Sequence, residues 1–246
     1  MSPQARDERG VSDLLAFTLT FSIIVTGIAL VSISGLGAFD TIQQSAATDV
    51  AETTMVGFAE TTSDHIQDGA SRRTTSMKLQ GHGLYQQSSV LNVTVDGDST
   101  HIESRALVRE TDTDTDIVYS SGAVYRVQRE GLVVSRAPRF RCSSDSAYLS
   151  VLSLAGQADY ASSGRVRLKT SVSEQTLVSP AAGRSPSAST VSVNVSNTAY
   201  PAAWQRLFER KLSNWDQHST EAQTYRCTGI ERAVVHNTSA SLETVS

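Results

Sequence analysis

Cysteine, proline and aromatic residues are scarce in this chain of 246 residues, and the scarcity excludes several protein classes. There are only 2 cysteines and 5 prolines, and aromatic residues make up 6% of the sequence. Two cysteines cannot form a disulfide-dense scaffold or a four-cysteine zinc site. Basic residues form no block, and 21 Lys and Arg are outnumbered by 25 Asp and Glu. We therefore expect no nucleic acid among the partners.

Catalytic motifs are also missing from the sequence. It contains no Walker loop, no GxGxxG, no GxSxG and no HExxH. Asp112, Asp114 and Asp116 resemble the start of a calcium loop, but Ile117 stands where an EF-hand needs glycine. The histidines are scattered, without the spacing of metal ligands, at positions 65, 82, 101, 218 and 236. We predict a non-enzymatic protein without a metal or a cofactor.

One long stretch lacks charge altogether. No charged residue occurs from Leu14 to Phe39, a run that as a helix would extend about 39 Å at ~1.5 Å per residue. A bilayer's hydrocarbon core is about 30 Å thick. Arg6 and Arg9 precede the run, and no Lys or Arg follows it before Arg72. This asymmetry predicts a single-pass membrane protein whose C-terminal body lies outside the cell.

Three interpretations of this N-terminus are open. A secretory signal would be cut at the small residues Gly35-Leu36-Gly37, although its apolar core would be unusually long. A plain uncleaved anchor would need no special leader. The third interpretation depends on the junction Glu8-Arg9-Gly10-Val11-Ser12, where a short charged leader ends in glycine directly before the apolar run.

That junction and the following residues, RGVSDLLAFTLTFSIIVTGIALV, resemble the class III signal of type IV pilins and archaeal flagellins. They are especially similar to pilin-like secreted proteins of halophilic archaea, as are GAVYR at Gly122–Arg126 and AWQRLFE at Ala203–Glu209. The resemblance implies that a prepilin-type peptidase cuts between Gly10 and Val11. It also implies that the retained helix anchors the protein in the membrane, with other pilin-like subunits as assembly partners.

The sequence departs from the pilin pattern at one position. Many pilins carry Glu at the fifth mature position, which here is Leu15. Asp13 is the nearest carboxylate and could take over as the partner of a neighbouring subunit's Val11 amine. The alternative is that Ser12 caps the helix and Asp13 interacts with the positive end of its dipole. Cleavage does not depend on this difference, but assembly into a filament does.

The apolar run is predicted to continue as a helix beyond the membrane. We place the leader at 1–10 and the transmembrane helix at 11–39. Apolar residues then recur at helical spacing up to Asp68, which predicts an amphipathic continuation over 40–70 with Gly69 as its C-cap. The predicted apolar face consists of Ile42, Ala46, Val50, Met55, Phe58, Ala59 and Ile66.

The remaining sequence predicts a β-rich domain over 75–236. Its clearest hairpin joins Leu91–Val95 to a return strand at His101 through the turn Asp96-Gly97. Short strands at regular intervals favour an antiparallel sandwich or wrapped sheet, so the predicted fold class is α+β. An amphipathic helix at about 201–215 is expected to pack on the sheet or, alternatively, to dock a partner. The last residues, 237–246, have the composition of a flexible tail.

Two kinds of modification are open in an exported domain. Cys142 and Cys227 can form one disulfide or remain two buried thiols. The sequons at Asn92, Asn194 and Asn237 are candidates for N-glycosylation and would then lie in exposed backbone.

Overall fold

The computed structural model describes residues 7–79, 83–111, 114–129, 131–156, 164–180 and 185–245, without the side chains of 7–12 and 33–41. The chain divides into two compact units, the first ending at Ala47 and the second beginning at Thr48. A single helix, α1 (Asp7–Gln67), runs through the described part of the first unit and opens the second.

The second unit begins with the last turns of α1. Met55, Phe58 and Ala59, which the apolar spacing placed on one face, are fully buried. Val50, predicted on the same face, is instead 49% exposed. The continuation of the helix is therefore confirmed, but its buried face starts at Thr48, whereas the predicted face started at Ile42, which is 64% exposed.

Gly69 ends this helix as predicted. It follows Gln67 in the left-handed region, with φ at 63°. Asp64 O accepts the backbone N–H groups of both Asp68 and Ala70. A glycine adopts this conformation without the strain that a Cβ would bring, so the chain can turn from the helix into the first strand.

Three arginines of the sheets hold this part of α1. Arg73 Nε lies 2.9 Å from Asp64 Oδ2, and Arg136 Nη2 donates to Ser63 Oγ at 2.7 Å. The third, Arg126, forms ion pairs with Asp49 at 3.5 Å and Glu52 at 3.3 Å. The polar side of the helix is thus bonded to the domain whose core its apolar side enters.

Thirteen described strands and one further helix follow α1. They are β1 (Arg72–Lys78), β2 (Leu84–Val95), β3 (Asp98–Thr111), β4 (Thr115–Ser120), β5 (Ala123–Gln128), β6 (Gly131–Arg136), β7 (Arg139–Cys142), β8 (Ser146–Ala155), β9 (Arg165–Ser179), β10 (Thr190–Asn194), α2 (Pro201–Lys211), β11 (Asp216–Gln217), β12 (Thr224–Thr228) and β13 (Arg232–Val245). The predicted hairpin is β2–β3, and its turn residues Asp96 and Gly97 both have positive φ.

The strands form two sheets. One has the order β1-β9-β13-β8-β7, and the other has the order β11-β12-β10-β2-β3-β4-β5-β6. Both contribute side chains to one large core, which α2 also enters. A second core lies where Met55 and Phe58 of α1 meet strands of both sheets. The α+β class with a β-rich domain is confirmed, while the sandwich arrangement stays a prediction.

One strand pair contradicts the antiparallel expectation. β8 and β13 run parallel, with Ser146 opposite Arg232 and Ala155 opposite Ser241. Parallel neighbours need a long crossover connection, and here the chain passes through five other elements, β9 to β12 with α2, before it returns. Alternation within a strand carries no information about such a return.

The predicted flexible tail at 237–246 is wrong over its described part. Residues up to Val245 belong to β13, an interior strand between β8 and β9. Thr238, Ala240 and Leu242 alternate as buried residues, and their small or polar character made the pattern resemble a tail. Backbone pairing on both sides and the burial of Leu242 stabilise the segment as a strand.

Helix α2 packs on the sheet rather than being free to dock a partner. Trp204, Leu207 and Phe208 are buried, and the ring of Phe208 stacks on Tyr225 with centroids 4.4 Å apart. The helix ends at Lys211, earlier than predicted. Trp215 lies beyond it and packs edge-on against Phe208.

Candidate membrane anchor and surface sites

The first unit contains a helix segment that is long and apolar enough to cross a membrane. Asp13–Ser32 has a mean hydropathy of 2.4, and none of its most apolar window is buried. Three of its hydroxyl groups bond within the helix: Thr18 donates to Leu15 O at 3.0 Å, Thr20 to Ala16 O at 2.8 Å and Ser22 to Thr18 O at 2.7 Å. Such internal pairing is what the hydrocarbon core demands.

The residues of the expected cleavage junction lie in the first turns of this helix. Gly10 and Val11 belong to the backbone of α1, and their side chains lie outside the described part. Because α1 begins at Asp7, Ser12 is inside the helix and is not its N-cap, which contradicts that alternative. Asp13 is exposed, as the assembly role would require.

The structure joins Cys142 and Cys227 in a disulfide. Their Cα atoms are 5.8 Å apart, and 85 residues separate them in sequence. Cys142 ends β7 of the five-stranded sheet, and Cys227 lies in β12 of the eight-stranded sheet. In the chain-entropy picture, closing a loop of this length stabilises the fold by about 4–5 kcal/mol.

Two of the sequon asparagines face each other across a strand pair. Asn92 of β2 lies opposite Asn194 of β10, so both side chains project from one face of the sheet. Asn92 Oδ1 bonds to a ring nitrogen of His101, and Asn194 Nδ2 donates to Thr224 Oγ1 at 2.8 Å. Opposed Cα atoms are about 4.5–5.5 Å apart. Bulky glycans on both asparagines would therefore crowd each other.

Asn237 lies in the interior strand β13. Its Oδ1 accepts a hydrogen bond from Ser153 Oγ at 3.1 Å, and its Nδ2 donates to Ser239 Oγ at 3.4 Å. All three sequon asparagines are thus half-buried strand residues. They do not lie in the exposed backbone that their use would imply, and their glycosylation stays a prediction.

The acidic run does not assemble into a cation site in the described residues. Asp112 lies outside them, Asp114 forms an ion pair with Arg129, and Asp116 accepts a hydrogen bond from the Tyr200 hydroxyl at 3.1 Å. Burial, followed by the negative charge of Asp116, raises the pKa of Tyr200 and keeps its hydroxyl a donor. Across the described part of the chain, no three metal-ligating side chains form a group.

Sequence reasoning missed a grouping of cations on the five-stranded sheet. Five basic side chains project from the outer face of the neighbouring strands β1 and β9, and we call them the basic strip: Arg72, Lys78, Arg165, Arg167 and Lys169. The period-two spacing in RVRLK signalled only the three residues of β9.

A family profile matches the chain over residues 9–243. The chain belongs to the DUF7289 family. Its function is unknown, so membership in DUF7289 assigns no activity. Because the match begins at Arg9, DUF7289 includes the apolar helix together with the β-rich domain. No curated protein and no solved structure matches the chain.

Proposed function

We propose that this chain is a non-enzymatic, pilin-like cell-surface protein whose N-terminal helix anchors a β-rich domain outside the cell. The observation that carries the proposal is the composition of α1. Over Asp13–Ser32 the helix is apolar and its side chains are exposed. From Thr48 the same unbroken helix is a packed element of a folded domain. A plain anchor requires only the first property, whereas a pilin-like stem combines both.

Processing and assembly follow from the same proposal. A prepilin-type peptidase removes residues 1–10, and the new Val11 amine starts the mature helix. The exposed side chains of the apolar half, such as Leu14, Phe17 and Ile24, then contact lipid or the helices of other pilin-like subunits. Asp13 is the carboxylate available to pair with a neighbouring subunit's Val11 amine.

A second candidate is a single-span anchored binding or sensor domain that never polymerises. One observation favours it, which is Leu15 at the position where pilins carry an acid. Without that acid, Asp13 would have to supply the whole intermolecular ion pair. Both candidates place the same domain outside the same membrane.

N-terminal sequencing of membrane-extracted native protein tests the processing step. We expect the mature chain to begin at Val11. Gly10→Val should leave the leader attached, because the peptidase recognises the glycine before the cut. Gly27→Val is the matched control, since a Cβ at Gly27 meets nothing within 4 Å, and it should be processed normally. A mature chain that begins at Ser2 or Ala38 would contradict the proposal.

Shear fractionation separates the two candidates. Filament subunits leave the cell with sheared material, and Asp13→Asn should return them to the membrane fraction. A wild-type protein that stays wholly with the membrane supports the anchored monomer instead.

A further inference from the structure

The basic strip concentrates charge in a chain that is acidic overall. The formal net charge of the chain is −4, yet the outer rows of β1 and β9 present five cations. Two acidic side chains of the described part lie on the same outer face, Glu174 of β9 beyond the Arg72 end and Glu243 of β13. Lys169 Nζ lies 2.9 Å from Glu243 Oε2. That hydrogen bond and charge, with a contribution from Arg72, lower the pKa of Glu243.

The strip is linear because its side chains alternate along two extended strands. Arg165, Arg167 and Lys169 alternate along β9, and side chains two residues apart in an antiparallel strand are about 7 Å apart. From Arg165 to the row of Arg72, the strip extends about 20 Å. The opposite face of the same two strands is buried, with Leu168 and Met77 in the core. The outward direction of the cations is therefore set by packing.

One row of the strip is unfavourable for folding. Lys78 lies directly opposite Arg165, and like charges in that position destabilise a strand pair. Hydroxyl side chains occupy the other three positions, with Thr74 opposite Lys169, Ser76 opposite Arg167 and Ser171 opposite Arg72. The strip thus presents positive charges and exposed hydroxyl groups side by side.

We propose that the basic strip binds an extended acidic polysaccharide outside the cell. Its carboxylate or sulfate groups would pair with the lysines and with the forked guanidinium groups of the arginines. Its hydroxyl groups would bond to Thr74 and Ser76. This inference rests on the proposed function in one respect, because such polymers are met only by an exported domain.

Other anionic partners fit the strip less well. The outward side chains of these rows include no aromatic residue, and single-stranded nucleic acids rely on aromatic stacking. A second copy would need a matching acidic strip, but several carboxylates of the domain are already engaged. Asp64 pairs with Arg73, and Asp145 pairs with Arg232. A lipid surface is planar, whereas these cations follow one strand pair.

The inference is tested by titrating the full-length protein, in uncharged detergent, with a heparin oligosaccharide. The ionic strength is about 0.15 M, because the Debye length of ~8 Å then lets neighbouring cations act together on the ligand. The double variant Arg165→Ser/Arg167→Ser should weaken binding at least tenfold. It should also reduce the slope of log affinity against log salt by about one per cation removed. Neutral dextran should not bind.

A matched control removes two exposed cations elsewhere. Arg210→Ser/Lys211→Ser alters the last turn of α2 and should leave heparin binding unchanged. Arg72→Ser/Lys78→Ser, on the other strand of the strip, should reproduce the loss and provides a second test if the first variant fails to fold. An unchanged thermal midpoint verifies folding.

Several results would overturn the inference. The first two are absence of heparin binding and equal heparin binding by the strip and control variants. The third is strip-dependent binding to phosphatidylglycerol vesicles or to a thymidine oligonucleotide that is tighter than binding to heparin. The fourth is strip-dependent self-association in sedimentation. These outcomes are independent of processing. A mature protein that starts at Val11 but does not bind heparin contradicts only the strip proposal. A mature protein that starts at Ser2 and binds heparin through the strip contradicts only the pilin-like proposal.

Discussion

The two halves of α1 share one backbone but differ in what surrounds their side chains. In Asp13–Ser32 the apolar residues are bare, and Phe17 is 68% exposed. In the half that belongs to the second unit, Met55 and Phe58 have no exposed surface. A continuous apolar surface of this kind on a soluble protein marks an interaction site. The first half therefore needs lipid or another helix, whereas the second half already has its partner in the sheets.

Removal of one aromatic ring from each half should give the largest contrast. Phe58 packs edge-on against Tyr119 with centroids 5.2 Å apart. Phe58→Ala should lower the free energy of unfolding by about 3–5 kcal/mol, because it leaves a cavity in the core. Phe17→Ala should leave it unchanged. Urea unfolding followed by the fluorescence of Trp204 and Trp215 measures both, and equal losses would show that the two halves do not differ.

A charge placed in the bare half should act on membrane insertion rather than on folding. Ile24→Asp should disfavour insertion by about 2.5–3.5 kcal/mol, the penalty for a charge at the centre of a spanning helix. The fraction of protein that resists alkaline extraction from membranes reports it. Val50→Asp, at an exposed position of the second unit, is the control and should remain membrane-bound. If Ile24→Asp also remains fully inserted, the first half is not the anchor.

The smallest effect is expected from the ion pairs that hold the packed half. Arg126→Gln removes the partner of Asp49 and Glu52, and should cost about 1 kcal/mol or less because the pairs are partly exposed. Arg129→Gln, whose pair with Asp114 is highly exposed, should change stability little. A double-mutant cycle with Glu52→Gln isolates the interaction. A zero coupling energy would mean that the Arg126–Glu52 pair adds nothing to the stability of the packed half.

Local features of the fold were predictable because neighbouring residues determine them. Asp96-Gly97 specifies a tight turn by itself, and Gly69 ends a helix by itself. The face of α2 was also predictable from Trp204, Leu207 and Phe208, since helical spacing brings them together. Trp215 was placed on the same helix in error. A buried aromatic residue that follows a helix end can pack against the same core as the helix face, as Trp215 does against Phe208.

The candidate sites were less predictable than the elements that carry them. Sequons identify Asn92 and Asn194 individually, but only strand pairing places them opposite each other. Two cysteines suggest one disulfide. That the disulfide links the two sheets depends on the fold, which places β7 in one sheet and β12 in the other. For the same reason the composition of 237–246 suggested a tail. A Ser- and Thr-rich segment becomes an ordered strand when neighbours on both sides satisfy its backbone.

The sequence by itself determined the uncharged stretch, the junction at Gly10 and the alternation of cations along Arg165–Lys169. These depend on the order of residues along the chain, which needs no fold to be read. Only the tertiary structure decided that β13 runs parallel to β8 and that Arg72 and Lys78 join the cations of β9. Alternation determines which side of a strand a residue occupies, but the choice of neighbouring strand depends on the packing of the whole domain.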